Sequence, residues 1–248
     1  MTINIEEAAG KPGWEQRVLM LKELGLLFPD YMYDESGALR EWSVNGFEDN
    51  HEHRHISHLY PAWPAFETQG NDRMIEACNQ AIKNRNVGNE GHDDFSSHGW
   101  LHKALVFARL KNSAALYEMI YTILHSEIYY KSMMTDHNTT GRFVYCTDTC
   151  LGLVGVINEA LLYSDEHVIE VLPALPAKWK KGCINGLRTR CRTEVKELTW
   201  DLDEKTVSAV LLPYVDQTVH LRCGVSGSGG QKVLFRKGEV RKVEWEIS

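Results

Sequence analysis

The stretch TCLGLVGVINEALLYSDEHVIEVLPALP, residues 149–176, decides the architecture. Its first half, Thr149 to Tyr163, carries Leu151, Val154, Val156, Ile157, Leu161 and Leu162 and is apolar nearly all round. That pattern predicts a helix buried on most sides. After Glu166 the period changes. Val168-Ile169-Glu170-Val171-Leu172 reads as a strand, stopped by Pro173 and Pro176. The chain therefore divides into a helical domain over residues 1–166 and a small antiparallel β domain over residues 167–248.

Working outward, helical spacing recurs before this stretch. Trp14–Leu27 carries Val18, Leu19, Leu21, Leu24 and Leu27, an amphipathic helix ending near Gly25 or Pro29. Asn71–Arg85 places Met74, Ile75, Cys78, Ala81 and Ile82 on one face. Ser97–Leu110 and Ser113–His125 form a pair joined by Lys111-Asn112, a link short enough to make them antiparallel neighbours. Beyond residue 172, Thr189–Trp200, Thr206–Leu212, Thr218–Cys223, Lys232–Phe235 and Val240–Ile247 alternate or are β-branched. Asp203-Glu204 and Ser226–Gly230 supply turn chemistry between them.

Composition excludes several classes. The 248 residues include 27 Lys+Arg against 34 Asp+Glu, a formal net charge of −7. This balance, with no basic run longer than Lys178–Lys181, argues against a phosphate-backbone partner. Apolar runs such as Leu151–Ile157 fall far below the ~20 residues a membrane helix needs. Six cysteines in a chain of this size read as reduced, packed thiols. Met1–Glu7 lacks a basic region followed by an apolar core, so a cytoplasmic location is the default. Five or six helices do not close a helical array, which points to an absent N-terminal half and to association through the open inner faces.

Three clusters carry candidate chemistry. Glu41–His58 gathers carboxylates, aromatics and four of the eleven histidines. Loops of this kind at helix ends wall a cleft that recognises polar substrates. His51, His53, His55 and His58 also offer imidazoles to a metal, but no dedicated zinc spacing such as H-E-x-x-H accompanies them. Gly141–Gly152 precedes the apolar helix, with Asp148 placed as its N-cap or as a rigidly held catalytic carboxylate. Cys146 and Cys150 lack the further thiolates a metal site requires. His98-Gly99-Trp100 combines a glycine that admits a ligand to the backbone with an indole face. It reads equally as a core tryptophan at a helix start.

Together these segments resemble glycoside hydrolase family 95, the inverting α-L-fucosidases with some α-L-galactosidase members. The resemblance rests on Gly37-Ala38-Leu39-Arg40-Glu41-Trp42, on His53-Arg54-His55-Ile56-Ser57-His58-Leu59-Tyr60-Pro61, and on His98-Gly99-Trp100 followed by Ala108-Arg109-Leu110. Val171-Leu172-Pro173-Ala174-Leu175-Pro176 with Trp179, Gly182 and Gly186-Leu187-Arg188 completes it. It implies part of an (α/α)6 toroid followed by a small antiparallel β-sandwich domain, and a chain that is the C-terminal piece of a longer protein.

By the same resemblance, Glu41 is the general acid and Asp148 the carboxylate that activates water on the opposite face of the sugar. Trp42, His53, Arg54, His58 and Trp100 contact the substrate, an oligosaccharide or glycan. No metal or cofactor is implied. Thr149 and Cys150 depart from the family's glycine and asparagine after that aspartate. Inversion needs the two carboxyls about 6.5–9.5 Å apart, so Glu41 and Asp148 are expected to face one cleft. The alternatives are a non-catalytic carbohydrate-binding remnant and another (α/α)6 enzyme, a lyase or phosphorylase.

Overall fold

The computed structural model describes residues 13–87, 96–137 and 144–247. Met1–Glu7 and the Gly141–Phe143 part of the second polar cluster lie outside them. Five helices come first: α1 (Trp14–Gly25), α2 (Asp72–Val87), α3 (Ser97–Arg109), α4 (Ser113–His125) and α5 (Thr147–Leu161). The strands follow: β1 (Leu162–Ser164), β2 (Val168–Val171), β3 (Lys181–Ile184), β4 (Leu187–Arg188), β5 (Thr193–Asp201), β6 (Thr206–Pro213), β7 (Gln217–Cys223), β8 (Gln231–Phe235) and β9 (Arg241–Glu246).

The α3–α4 joint shows why so short a link suffices. Lys111 takes a left-handed conformation, with φ of 58°, and ends α3. Asn112 then caps α4 by accepting a hydrogen bond from the Ala115 amide at 3.1 Å, satisfying a donor the helix start would otherwise leave unpaired. Of the thirteen residues of α3, only His102 is not buried. This helix is central, and its single opening is an imidazole.

Two helices differ from the sequence reading. In α1 only Val18 is buried, while Leu19, Leu24 and Leu27 stay exposed, so its apolar stripe is unused by the described residues. α5 is not buried on most sides: Leu151 is 72% exposed and Val154 60%. Its opposite face packs tightly on α3. A Cβ at Gly152 would lie 2.4 Å from Leu101 Cδ2, so glycine lets the two helices approach there. Helical periodicity marks apolar positions but not whether a partner is present to cover them.

The strands form two sheets, ordered β1-β2-β7-β8 and β3-β5-β6-β9, with β4 on β5. The second is antiparallel throughout. The first corrects the expectation of a wholly antiparallel domain, because β2 and β7 pair in parallel from Val168–His220 to Val171–Cys223. Parallel pairing requires a long crossover. Here most of the second sheet lies between the two strands in sequence, which no local pattern reveals. Ile169, Val171, Leu221 and Phe235 from one sheet meet Val195, Leu198, Val207 and Leu211 from the other in one buried cluster.

α5 passes into β1 with no intervening loop. The Leu172 amide donates to the Leu161 carbonyl at 2.8 Å and the Ala174 amide to Ala160 at 3.2 Å, folding the proline-flanked segment back on the helix end. Trp179 packs against both the helical core and the sheet core, and its carbonyl accepts from Trp200 Nε1 at 2.9 Å. All six cysteines are free, and Cys183 alone is exposed. Among the described residues no helix is long and apolar enough to cross a membrane.

Candidate functional site

The loop before α2 is shaped by carboxylates acting on backbone. Asp34 accepts from the Ser36 and Ala38 amides at 2.8 and 2.9 Å, closing the turn over which Tyr33 pairs with Leu39. The Leu39 amide donates to Ala77 on α2 at 3.2 Å, and the Glu41 amide to Asp49 Oδ1 at 2.9 Å. The Glu41 backbone is therefore held at two places, by its own amide and by its neighbour's anchor on α2. The chain then runs through the histidine-rich segment to a 3-10 turn, Ser57–Leu59, seated on a fully buried Leu59.

Arg85 on α2 organises this segment. Its side chain is 1% exposed, an expensive place for a cation without partners. Nη2 meets Glu41 Oε2 at 3.0 Å and His58 Nδ1 at 3.4 Å, and Nη1 donates to the Asn50 carbonyl. Burial, and then the Arg85 charge, push the His58 imidazole down to about 4, with Glu41 offsetting part of the effect. Glu41 thus sits in an ion pair. The residue before it, Arg40, lines with Asp49 and Asn84 a recess of about 590 Å³.

A second group of imidazoles gathers at the start of α3. Ser97 draws the 135–137 segment onto the helix, its amide donating to the His137 carbonyl at 2.8 Å and its hydroxyl to the Asp136 carbonyl at 2.7 Å. Asp136 Oδ1 in turn accepts from the His137 and Val144 amides, and Cys146 and Thr135 exchange bonds, so the approach to α5 is tied to the same place. As a result His53, His55, His98, His102 and His137 form a chain of ring contacts, with centroids 4.8 to 5.8 Å apart.

Burial holds His55, His102 and His137 below the usual imidazole range. Arg54 adds to this at His55, and His98 adds to it at His102 and His137. Asp148 works the other way at His102, where its Oδ1 lies 3.8 Å from Nε2. Neutral imidazoles both donate and accept hydrogen bonds, which matches the needs of sugar hydroxyls.

His53, His55, Ile56, Ser57, Trp63, His102 and Val106 line a pocket of about 450 Å³. Of the expected contact residues His53 lines it directly, and His58 stands next to Ser57 but turns to Arg85. Arg54 runs alongside α3, its carbonyl 3.6 Å from where a Gly99 Cβ would sit. The space beside Gly99 is thus occupied by the protein's own loop, and the tightest neighbour of a Cβ there would be Ser96 Oγ at 3.0 Å. Trp100 is 9% exposed and belongs to the helical core, so the indole expected to carry a sugar packs inward. Trp42 is exposed and tilts against Phe47, 5.3 Å between centroids.

Neither carboxylate expected to act lines the pocket itself. Asp148 reaches it through His102, and Glu41 connects through Arg85 to His58. Asp148 is also not the N-cap of α5. Cys146 is, and Asp148 stands in the first turn, where its charge suits the helix dipole while the side chain remains 54% exposed. Sequence reasoning missed Trp63, Arg85, His102 and His137. The one available signal was His98 and His102 at i, i+4, which puts both rings on one face.

Two family descriptions match the chain. The glycosyl hydrolase family 95 catalytic domain covers residues 6–161, and the family 95 C-terminal domain covers residues 163–246. The chain belongs to glycoside hydrolase family 95. Among relatives of this family 95 chain, "Alpha-L-fucosidase 2" of Arabidopsis thaliana is 30% identical over 172 residues, covering 65% of this chain and 20% of that protein. "Probable alpha-fucosidase A" of Aspergillus oryzae is 28% identical over 188 residues, 66% of this chain and 25% of that protein. The chain thus spans about a fifth to a quarter of the length of these relatives.

Proposed function

We propose that this chain carries the sugar-binding wall of a glycoside hydrolase that removes terminal α-L-fucose with inversion, its helices forming part of an (α/α)6 ring beside a β-sandwich. The observation that carries this reading is Asp148, an exposed carboxylate held beside His102, one of three histidines that line the pocket. Asp148 acts on the water side and Glu41 on the leaving-group side. The buried apolar pair Ile56 and Val106, beside Trp63 in this wall, suits the methyl group of a 6-deoxy sugar. L-Galactose, with a hydroxyl at that carbon, fits it less well. The exposed leucines of α1 and the Leu151–Val154 stripe of α5 support self-association with a further copy of this chain, which sedimentation reads directly.

The Glu41–Arg85 pair favours a second reading, a non-catalytic carbohydrate-binding remnant, because a guanidinium partners a carboxylate and not a proton donor. One experiment separates the two. A general acid matters for a sugar leaving group and little for p-nitrophenol. Under the hydrolase reading, Glu41→Gln loses turnover of a fucosyl disaccharide by about a hundredfold or more while largely keeping that of p-nitrophenyl α-L-fucoside. Asp148→Asn loses both, and the wild-type product appears first as the β anomer. Binding of L-fucose with no turnover of either substrate supports the remnant.

A further inference from the structure

Trp63 stands at the wall of the histidine pocket and of a neighbouring one. The same indole lines a second cavity of about 540 Å³, between the last turns of α5 and the segment carrying β4. Asn158 and Glu159 wall it from the helix, and Arg188 and Arg190 from the sheet side. The volume is in the range of small-ligand sites, and an indole with an amide and guanidiniums makes a surface for polar rings.

The charges in this wall do not cancel. Glu159 is enclosed, its oxygens bonded to Arg109 at 2.6 and 3.3 Å and to Arg190 at 3.3 Å. Arg188 lies over the Tyr214 ring with only a 3.7 Å contact to Glu194. Three guanidiniums thus share two carboxylates, leaving one positive charge in excess on a chain whose net charge is −7. Arg188 and Arg190 also remain partly exposed, with donors to spare. Planar guanidinium forks of this kind select carboxylate, phosphate and sulfate groups.

We propose that this second cavity binds the part of the glycan beyond the terminal sugar, and that this part bears an acidic group, a carboxylate or a sulfate ester. The inference rests on the reading of the histidine pocket as the terminal-sugar site, with which this cavity shares Trp63 as a wall residue. Gly155 offers a clean way to close the cavity. It lines the wall, and a Cβ there would meet nothing within 4 Å, so a side chain fills the cavity without displacing the helix.

The test is calorimetric titration of the intact chain with L-fucose, trigalacturonate, neutral galactotriose and a 6-sulfated galactobiose. The expected result is a Kd for an acidic probe at least about tenfold below that for galactotriose, weakening as salt rises. Whether trigalacturonate or the sulfated probe binds identifies the acidic group. Gly155→Leu raises the acidic probe's Kd at least about tenfold, keeps the Tm and leaves L-fucose binding unchanged. Arg188→Gln removes the preference for acid over neutral probe. Equal affinity for acidic and neutral probes, or acid binding that Gly155→Leu leaves intact, overturns the proposal. Binding of the acidic probe that is sensitive to Gly155→Leu, without any L-fucose binding, retires the terminal-sugar reading but supports the cavity as an acid-binding site.

Discussion

His102 Nε2 lies 3.8 Å from Asp148 Oδ1, linking the one unburied position of α3 to the first turn of α5. Burial and His98 depress the His102 imidazole, and the Asp148 charge counteracts them. Asp148→Asn is therefore expected to lower the His102 pKa further. Histidine-resolved NMR titration checks it, and an unchanged or higher value contradicts the pairing.

Arg85→Met removes the cation that Glu41, His58 and the Asn50 carbonyl share. Breaking a buried pair from one side costs about 3–5 kcal/mol, and the partly exposed Glu41 places this case near 3. The His58 pKa rises from about 4 towards 6.5, because one of its two main depressing influences is gone. Urea unfolding and NMR titration of the same variant measure the two effects independently.

Acid sensitivity follows from the imidazoles. His58 has a folded pKa of about 4 against an ordinary 6.5, so below pH 6.5 the unfolded chain takes up a proton that the folded chain refuses. Stability is full above that value and declines as pH falls towards 4, by about 3 kcal/mol from this group. His55, His102 and His137 shift in the same direction and steepen the decline. Denaturation midpoints between pH 7 and 5 should fall accordingly, and His58→Gln should flatten the curve.

Arg109 is buried, bonded to Glu159 at 2.6 Å and lying over the rings of Trp63 and Phe66 at 4.7 and 4.4 Å. Removing the guanidinium leaves the nearly enclosed Glu159 with Arg190 as its remaining cationic partner. Arg109→Met should cost about 3 kcal/mol, the low end for breaking a buried pair. Glu159→Gln should cost less, since the amide oxygen still accepts a hydrogen bond. Equal losses on thermal unfolding would contradict this account.

Two glycines one turn apart on α5 should respond with opposite sign. Gly152→Ala drives a Cβ to within 2.4 Å of Leu101 and should destabilise by about 1–3 kcal/mol. Gly155→Ala enters open space and should stabilise by up to about 1 kcal/mol through helix propensity alone.

Much of the secondary structure was legible because periodicity is local. The helix expected at Ser113–His125 occupies those residues, and β6 and β7 differ from their expected bounds by one residue. The expected Thr149–Tyr163 helix overran because Leu162 and Tyr163 are as apolar as a helix core, and only pairing with β2 makes them extended. β3 was missed since Lys181-Gly182-Cys183-Ile184 is short and largely solvent-facing, with no alternation to read. The histidine concentration at 51–58 was visible. The rings that complete it, His98, His102 and His137, come from segments distant in sequence that are joined by hydrogen bonds from Ser97 to the carbonyls of residues 136 and 137. Nothing in the sequence neighbours of Arg85 announced a buried ion pair.

α5 is a single rod of 15 residues, about 22 Å long, welded to a sheet at one end and bearing Asp148 at the other. Asn158 and Glu159, at its sheet end, line the second cavity. The cavity wall at Asn158 and the carboxylate beside His102 are thus two ends of one helix, so a substitution that tilts this rod disturbs both together.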